Sequence, residues 1–507
     1  MWAPYEPLLD TLLNLHGVKW VLKQMENAYP KPPGQIIGES LLGGFSPDDL
    51  KDLVGDASRT KSPLALDLDG DGIETTILGY ETYFDHDANG FAERTSWISP
   101  DDGLLVMDRN GNGNIESGTE LFGNQTILSN GTKAANGFQA LAELDDNKDG
   151  KIDSNDAAYA HLKIWQDLNG DGWVNYDEDE NGYAITDELK TLSELGIQSI
   201  GTGYTDTNIT DANGNIIKQT GTFTWADDST GNTADVWFQT DNMRTVANEW
   251  LDVPDDIVAL PDLFGYGNIY DLHQTMVRDE SGQLKALVDQ FVAETDAAAR
   301  HALVIQILYH WAGVEDVDPL SRAATRIYGN AIGDARKLAT LEAFIGEPYV
   351  GVWCWNERDP NPHGPASKKL LQAFDLLAGS IYSQLMAQTH YKELLNSISL
   401  SWNSETSQIE LDVSATGDAL QALYIANPGN APLAMSEFAD ILKLDGDAGM
   451  RALEDLRVQG DPAGDGFLRL LAVMGINATV GDASNNTLRG TADTDALYGM
   501  GGNDNLY

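Results

Sequence analysis

The sequence predicts an α+β multidomain protein, and three observations carry that reading. Residues 63 to about 240 are rich in Asp, Asn and Gly around short apolar runs, residues 242 to 475 follow a helical period, and the chain ends in a nine-residue repeat. At 507 residues the chain exceeds the size at which a single core stops growing, so about two to four domains are expected. The expected divisions are an N-terminal helical segment and linker over 1–61, a loop-rich module over 62–241, a helical domain over 242–476, and the start of a repeat array over 477–507.

Leu8, Leu9, Leu12, Leu13 and Leu15, then Val18, Trp20, Val21 and Leu22, predict one or two amphipathic helices that end at Pro30-Lys-Pro-Pro-Gly34. A short helical piece over 48–54 leads into a polar linker over 55–62. The runs Leu64 to Leu68 and Leu104 to Met107 have strand length. Between Ile197 and Phe238, Ile216, Ile217 and the run Phe223 to Trp225 flank turns such as Asp211-Ala-Asn-Gly-Asn215, which predicts β-hairpins. Leu284, Leu287, Val288, Phe291 and Val292 then recur at helical spacing, and Leu303, Ile307, Leu308 and Trp311 continue it. One hairpin-like interruption spans Ile398 to Val413.

Charge narrows the function. The 79 Asp and Glu against 31 Lys and Arg leave a net charge of −48, which repels itself in a compact state unless cations neutralise it. Nucleic acid and anionic membrane surfaces are therefore poor partners, and divalent metal is a good one. A single cysteine, Cys354, excludes an intramolecular disulfide. Met1 to Pro30 does not read as a cleavable signal peptide, and no run of about 18 apolar residues predicts a transmembrane segment.

Ca²⁺ takes six to eight oxygen ligands, and a loop of about 12 residues supplies them from positions 1, 3, 5, 7, 9 and 12, with Gly at position 6 for the turn. The module offers this pattern six times. Asp67, Asp69, Asp71, Gly72 and the Ile73 carbonyl fill half of one loop, but Leu78 stands at position 12, so the last ligand must come from elsewhere. Asp85, Asp87, Asn89, Phe91 and Glu93 form a second. Asp108, Asn110, Asn112, Asn114 and Glu116 form a third, whose closing carboxylate, Glu120, falls one place late. Asp145, Asn147, Asp149, Lys151, Asp153 and Asp156 satisfy every position of the fourth, as do Asp167, Asn169, Asp171, Trp173, Asn175 and Glu178 of the fifth. A sixth, Asp177, Asp179, Asn181, Tyr183 and Glu188, overlaps the fifth, so either two ions share carboxylates or one lengthened loop closes with Glu188 in place of Glu178. One such loop alone is as well explained by an Asx-rich turn. Six with glycine in register predict binding of several Ca²⁺ ions, with the 145 and 167 loops the surest sites.

The repeat aligns as Gly481 to Arg489, Gly490 to Tyr498 and Gly499 to Tyr507, with Asn486, Asp495 and Asp504 at its sixth place and Leu488, Leu497 and Leu506 at its eighth. This is the period of the calcium-binding parallel β-roll, with Asp495 and Asp504 as candidate ligands. Solenoids need several turns to bury a core, so three copies suggest part of a longer array.

The runs Pro63-Leu-Ala-Leu-Asp-Leu-Asp-Gly-Asp-Gly-Ile-Glu74, Tyr83-Phe-Asp-His-Asp87, Asp101-Asp-Gly-Leu-Leu-Val106, Glu120-Leu-Phe-Gly-Asn124, Ala140-Leu-Ala-Glu-Leu-Asp145 and Trp165-Gln-Asp-Leu-Asn169 closely resemble the self-processing module of iron-regulated RTX proteins of the Frp type. The resemblance covers about 62–240, and residues 481–507 resemble the RTX repeats themselves. It implies a calcium-folded module that cleaves an Asp-Pro bond at its N-terminal edge through an aspartyl anhydride, which a lysine amine can capture. Here the junction is Ser62-Pro63. Serine cannot form the anhydride, so no catalytic residue is assigned and the module is expected to be a non-cleaving relic. The resemblance further implies secretion by the type I route and an extracellular setting; the cell-surface or host partner is not identified.

Other features have plainer readings. Asp318-Pro319, Asp359-Pro360 and Asp461-Pro462 read as turns. His86 reads as a solvated spacer inside its loop, because Ca²⁺ prefers oxygen. The stretch from Val352 to His363, with Trp353, Cys354 and Trp355, reads as core anchors, since no nucleophile, base and orienting group come together there. Two rival functions remain open at this level: a toxin or hydrolase effector with catalysis in the helical domain, and an adhesin-like spacer that calcium rigidifies.

Overall fold

The computed structural model describes residues 59–79, 82–174, 188–322, 331–352, 358–403, 408–426 and 431–444, with short stretches up to residue 506. The helices expected before residue 55, the loop from Asp177 to Tyr183, Glu178, Asp504 and the Trp353 to Trp355 segment lie outside the described residues.

The fold is α+β, with a curled antiparallel sheet of twelve strands as its first part. They are β1 (Arg59–Lys61), β2 (Leu64–Leu66), β3 (Tyr83–Phe84), β4 (Phe91–Thr95), β5 (Gly103–Val106), β6 (Lys151–Ile152), β7 (Lys163–Trp165), β8 (Leu189–Thr191), β9 (Ile197–Gly201), β10 (Thr205–Thr210), β11 (Ile216–Trp225) and β12 (Thr230–Ala247). Two short helices, α1 (Gly137–Ala142) and α2 (Leu192–Leu195), accompany them. The backbone order is β6-β9-β11-β12-β2-β5-β7-β8, with β10 on β11, β1 and β4 on β12, and β3 on β4. The end of the stretch read as polar linker is thus a strand: Lys61 sits opposite Phe238.

The short apolar runs show no clean alternation because both sheet faces are buried. Leu64 and Leu66 enter one core with Leu105, Phe122, Phe138, Ile164 and Phe223. Ala65 between them enters a second core with Phe84, Trp97, Leu104, Val106, Trp165 and Phe238. A one-residue slip of β2 would exchange the two sets. The long strand β12 belongs to both parts of the sheet, pairing first with β11 and β2 and then with β1 and β4. Its register shifts between Asp241 and Thr245.

Helices α3 (Asp255–Val258), α4 (Leu272–Arg278), α5 (Gln283–Ala293), α6 (Ala297–Trp311) and α7 (Ala335–Ile345) follow, then the pair β13 (Gly351–Val352) and β14 (Arg358–Asp359), and α8 (Gly364–Gln388). The helical period buries Leu284, Leu287, Val288 and Phe291 of α5 and Val304, Ile307, Leu308 and Trp311 of α6. Next come α9 (Lys392–Asn396), the antiparallel hairpin β15 (Ser399–Asn403) and β16 (Gln408–Asp412), α10 (Ser414–Ala426) and α11 (Ala431–Lys443). No helix among the described residues is long and apolar enough to cross a membrane.

The chain packs as two compact units, Pro47–Ala378 and one holding Gly379–Tyr507. Within the first, β12 runs through the division expected at 241/242. Asn248 beyond it donates to Asp85 at 2.9 Å, and Asn89 donates to Asn268 at 3.0 Å. At the chain's end β17 (Asn477–Val480) pairs in parallel with β19 (Asp495–Tyr498), and β18 (Thr487–Leu488) with β20 (Asn505–Leu506). Each partner lies eighteen residues on, two repeats away.

Candidate metal centres

Four of the six loops and the first eight residues of the fifth, to residue 174, are described, and all five share one backbone through their sixth position. The fourth position is left-handed in all of them, at Gly70, Ala88, Gly111, Lys148 and Gly170, and so is the sixth, at Gly72, Gly90, Gly113, Gly150 and Gly172. Glycine is invariant at the sixth position, where φ lies between 80° and 126° and a Cβ would be strained. Side-chain oxygens hold this shape. The first-position carboxylate accepts the N–H of the sixth in four loops: Asp85 from Gly90 at 2.9 Å, Asp108 from Gly113 at 2.8 Å, Asp145 from Gly150 at 2.9 Å and Asp167 from Gly172 at 2.8 Å. The third position accepts from the fifth, as in Asn147 from Asp149, and the fifth from the seventh, as in Asp171 from Trp173, both at 2.8 Å. Each carboxylate keeps lone pairs for a cation.

The loops differ in what stands at their far end. At the 67 loop, oxygens of Asp67, Asp69 and Asp71 lie within 4.8 Å of one another. Beside them stands a trio that sequence reasoning missed, Glu74, Asp101 and Asp102. Asp102 is fully buried and accepts the N–H groups of Leu68 at 3.2 Å and Glu74 at 2.9 Å. Burial pushes its carboxyl up to about 7, against those two hydrogen bonds. Burial first, then the charges of Asp71 and Asp101, also raises Glu74. Asn232 of β12 donates to Asp67 at 2.9 Å.

At the 85 loop, Asp85, Asp87 and Glu93 bring their oxygens within 4.8 Å. Glu93 is 2% exposed, and burial pushes it up to about 7 despite the Lys61 ammonium nearby. His86 is not solvated as its position suggested. It is buried beside the rings of Phe84 and Trp97, with Nε2 3.0 Å from the Thr95 hydroxyl. The second loop position points into the core here because the loop leaves β3 directly beneath that aromatic cluster.

At the 108 loop, Glu120 does reach back, accepting the Glu116 N–H at 2.9 Å. At the 145 loop, Asp156 accepts the N–H groups of Asp146 and Asp153, each at 2.9 Å, and Asp153 pairs with Lys151 at 2.7 Å. At the 167 loop, Glu188 is buried, accepts from Leu168 at 2.9 Å and faces the Trp165 indole N–H at 3.4 Å, so β7 and β8 deliver it to the loop entrance. Asp495 opens β19.

These residues fit a hard divalent cation. The donors are oxygens, and three buried carboxylate oxygens at the loops, Glu74 Oε2, Asp87 Oδ1 and Glu120 Oε1, accept no hydrogen bond, while Glu93 Oε1 meets the Lys61 ammonium at 3.4 Å. Leaving buried charge so under-satisfied is costly without a counter-ion.

The Ser62-Pro63 junction is buried between β1 and β2 of the same sheet. The Ser62 N–H donates to the Asn124 side chain at 3.2 Å, the Asn124 N–H returns to the Ser62 carbonyl at 3.2 Å, and the Val236 N–H donates to the Pro63 carbonyl at 3.0 Å. Any Cβ at Gly123 would meet the Ser62 carbonyl oxygen at 1.4 Å, so only glycine permits this approach. Asp235, fully buried, lies beside the Ser62 hydroxyl and accepts the Gly137 N–H at 3.3 Å. Burial raises its carboxyl to about 6, against that hydroxyl and N–H. A carboxyl raised in the folded state stabilises fully below its unfolded value near 3.8 and loses that contribution as pH rises through about 6. Asp235→Asn is therefore expected to stabilise the folded protein by about 3 kcal/mol at pH 7.5 and by less than about 1 kcal/mol at pH 4. Urea midpoints at the two pH values check this; an equal shift at both would refute it.

The SPM domain model matches residues 64–239. Iron-regulated protein FrpA of Neisseria meningitidis serogroup C is 33% identical over 410 residues, 74% of this chain and 35% of that protein. The chain thus spans about a third of the length of this relative.

Proposed function

The chain is of the Frp type, with an SPM domain followed by sequence shared with such a protein, and on that premise we propose that it is a secreted protein folded by calcium. The observation that carries the proposal is the backbone that the five loops share through their sixth position, together with buried carboxylate oxygens at the 67, 85 and 108 loops that accept no hydrogen bond. In a calcium-poor cytoplasm the net charge of −48 opposes compaction; outside the cell, millimolar Ca²⁺ saturates loops of extracellular affinity and drives folding. The terminal repeat continues this design. Parallel pairing two repeats apart supports a β-roll turn, and Asp495 and Asp504 hold the sixth place of their repeats in the sequence. The SPM domain acts here as a calcium-binding scaffold, because Ser62 stands where cleavage needs Asp. Calorimetric titration of the metal-free protein with Ca²⁺, followed by circular dichroism, tests the proposal. Uptake of several ions with a gain of ordered structure is expected; no heat and no spectral change would refute it.

Local completeness ranks the 145 and 167 loops above the 67 loop, which lacks a twelfth-position carboxylate. The neighbouring Glu74, Asp101 and Asp102 remove the reason for that ranking. Asp67→Ala is accordingly expected to weaken calcium binding as much as Asp167→Ala, about tenfold or more at the affected site, since each deletes the first ligand of a complete set. Titration of the two variants side by side decides it; a negligible effect of Asp67→Ala would restore the ranking by local completeness.

A further inference from the structure

Lys61 ends β1 with a side chain only 9% exposed, and its Nζ lies 3.0 Å from Asp87 Oδ2 and 3.4 Å from Glu93 Oε1. Those two carboxylates and Asp85 are the trio whose oxygens converge within 4.8 Å at the 85 loop. We propose that the Lys61 ammonium occupies the cation position of the 85 loop, so that Ca²⁺ and Lys61 exclude each other there. This rests on the calcium reading of the loops.

The argument is one of shared ligands. Bound Ca²⁺ holds its oxygens at about 2.3–2.6 Å, and the oxygens it needs from Asp87 and Glu93 are those that Nζ already faces. A divalent ion and an ammonium about 4 Å apart repel strongly where water is scarce. The 145 loop offers a contrast: Lys151 also pairs with a loop carboxylate, Asp153, but its side chain is 45% exposed and can swing into water. Lys61 has no such freedom, because β1 fixes its backbone against Phe238 and the module encloses its side chain. The 85 loop is therefore the last to fill. When it fills, the residue expelled is the immediate neighbour of Ser62 at the buried junction.

Calcium titration of the full chain tests this. Lys61→Met is expected to tighten one weak site on the order of tenfold, Lys61→Arg to behave as the parent, and Lys61→Met/Asp87→Asn to lose the gain. In the parent, Asp87→Asn is expected to leave the number of tight sites unchanged, whereas Asp167→Ala lowers it by one; this pair does not depend on how Lys61→Met folds. Unchanged affinities in Lys61→Met, or loss of a tight site in Asp87→Asn, would overturn the exclusion. Absence of calcium binding by every form would overturn it as well, and is recognised separately as failure of the calcium reading.

Discussion

Removal of calcium is expected to open residues 59–247 to protease while the apolar helices α5 and α6 stay protected. At the 67 loop, the buried Asp102 would stay beside Asp67 and Glu74 with no calcium between them, and each uncompensated buried charge costs several kcal/mol. A few vacated loops therefore exceed the whole stability of an ordinary domain, about 5–15 kcal/mol. The burial of Leu284, Leu287, Val288 and Phe291 against the next helix involves no such charge. The segment 248–270 should loosen with the module, because Asn248 and Asn268 bond to the 85 loop and Tyr270 packs on Phe91 with ring centroids 4.6 Å apart. Limited proteolysis with chelator and with millimolar Ca²⁺, read by mass spectrometry, checks the pattern. Equal protection of 59–247 in both conditions would end the calcium-folding reading.

The second large effect is chemical. As it stands, the protein is expected to remain one chain when calcium is added, and Ser62→Asp to bring calcium-dependent scission between residues 62 and 63. Cleavage of the kind the resemblance implies has a side-chain carboxylate attack its own main-chain carbonyl, closing a five-membered anhydride as the proline nitrogen leaves. A serine hydroxyl offers no such ring. The junction is otherwise built for a fixed geometry, held by Asn124, Val236 and the close approach of Gly123. An aspartate at 62 would stand against the buried Asp235, and two carboxyls so placed share a proton rather than both ionising. Denaturing electrophoresis of both forms after calcium addition decides the matter. A cut in the parent refutes the anhydride argument; an uncut Ser62→Asp shows that the SPM domain has kept only its scaffold role.

Much of this molecule was written locally. The loop backbones follow from Asp, Asn and Gly at fixed spacing, because the hydrogen bonds that shape them span two to five residues: Asp69 to Asp71, Asp145 to Gly150. The hairpin strands β9 to β12 and the helices α5 and α6 were equally readable, since period and turn chemistry act over a few residues. The short runs at Leu64 and Leu104 gave strand length but no face, because both of their faces are buried.

What surrounds the 67 and 85 loops was decided by tertiary structure. Asp102 reaches the 67 loop from 28 residues past Glu74, and Asn232 from 165 residues past Asp67. Lys61 reaches Asp87 only because β1 and β4 share β12. The sequence reading of His86 as a solvated spacer failed for the same cause: its loop shape was right, but the aromatic cluster beneath it is assembled from Phe84, Trp97, Trp165 and Phe238, on strands and turns far apart in the chain. A loop's shape is set by bonds that its own residues can make. Its ligand set, its internal cation and its burial are set by strand order, which no window of a dozen residues contains.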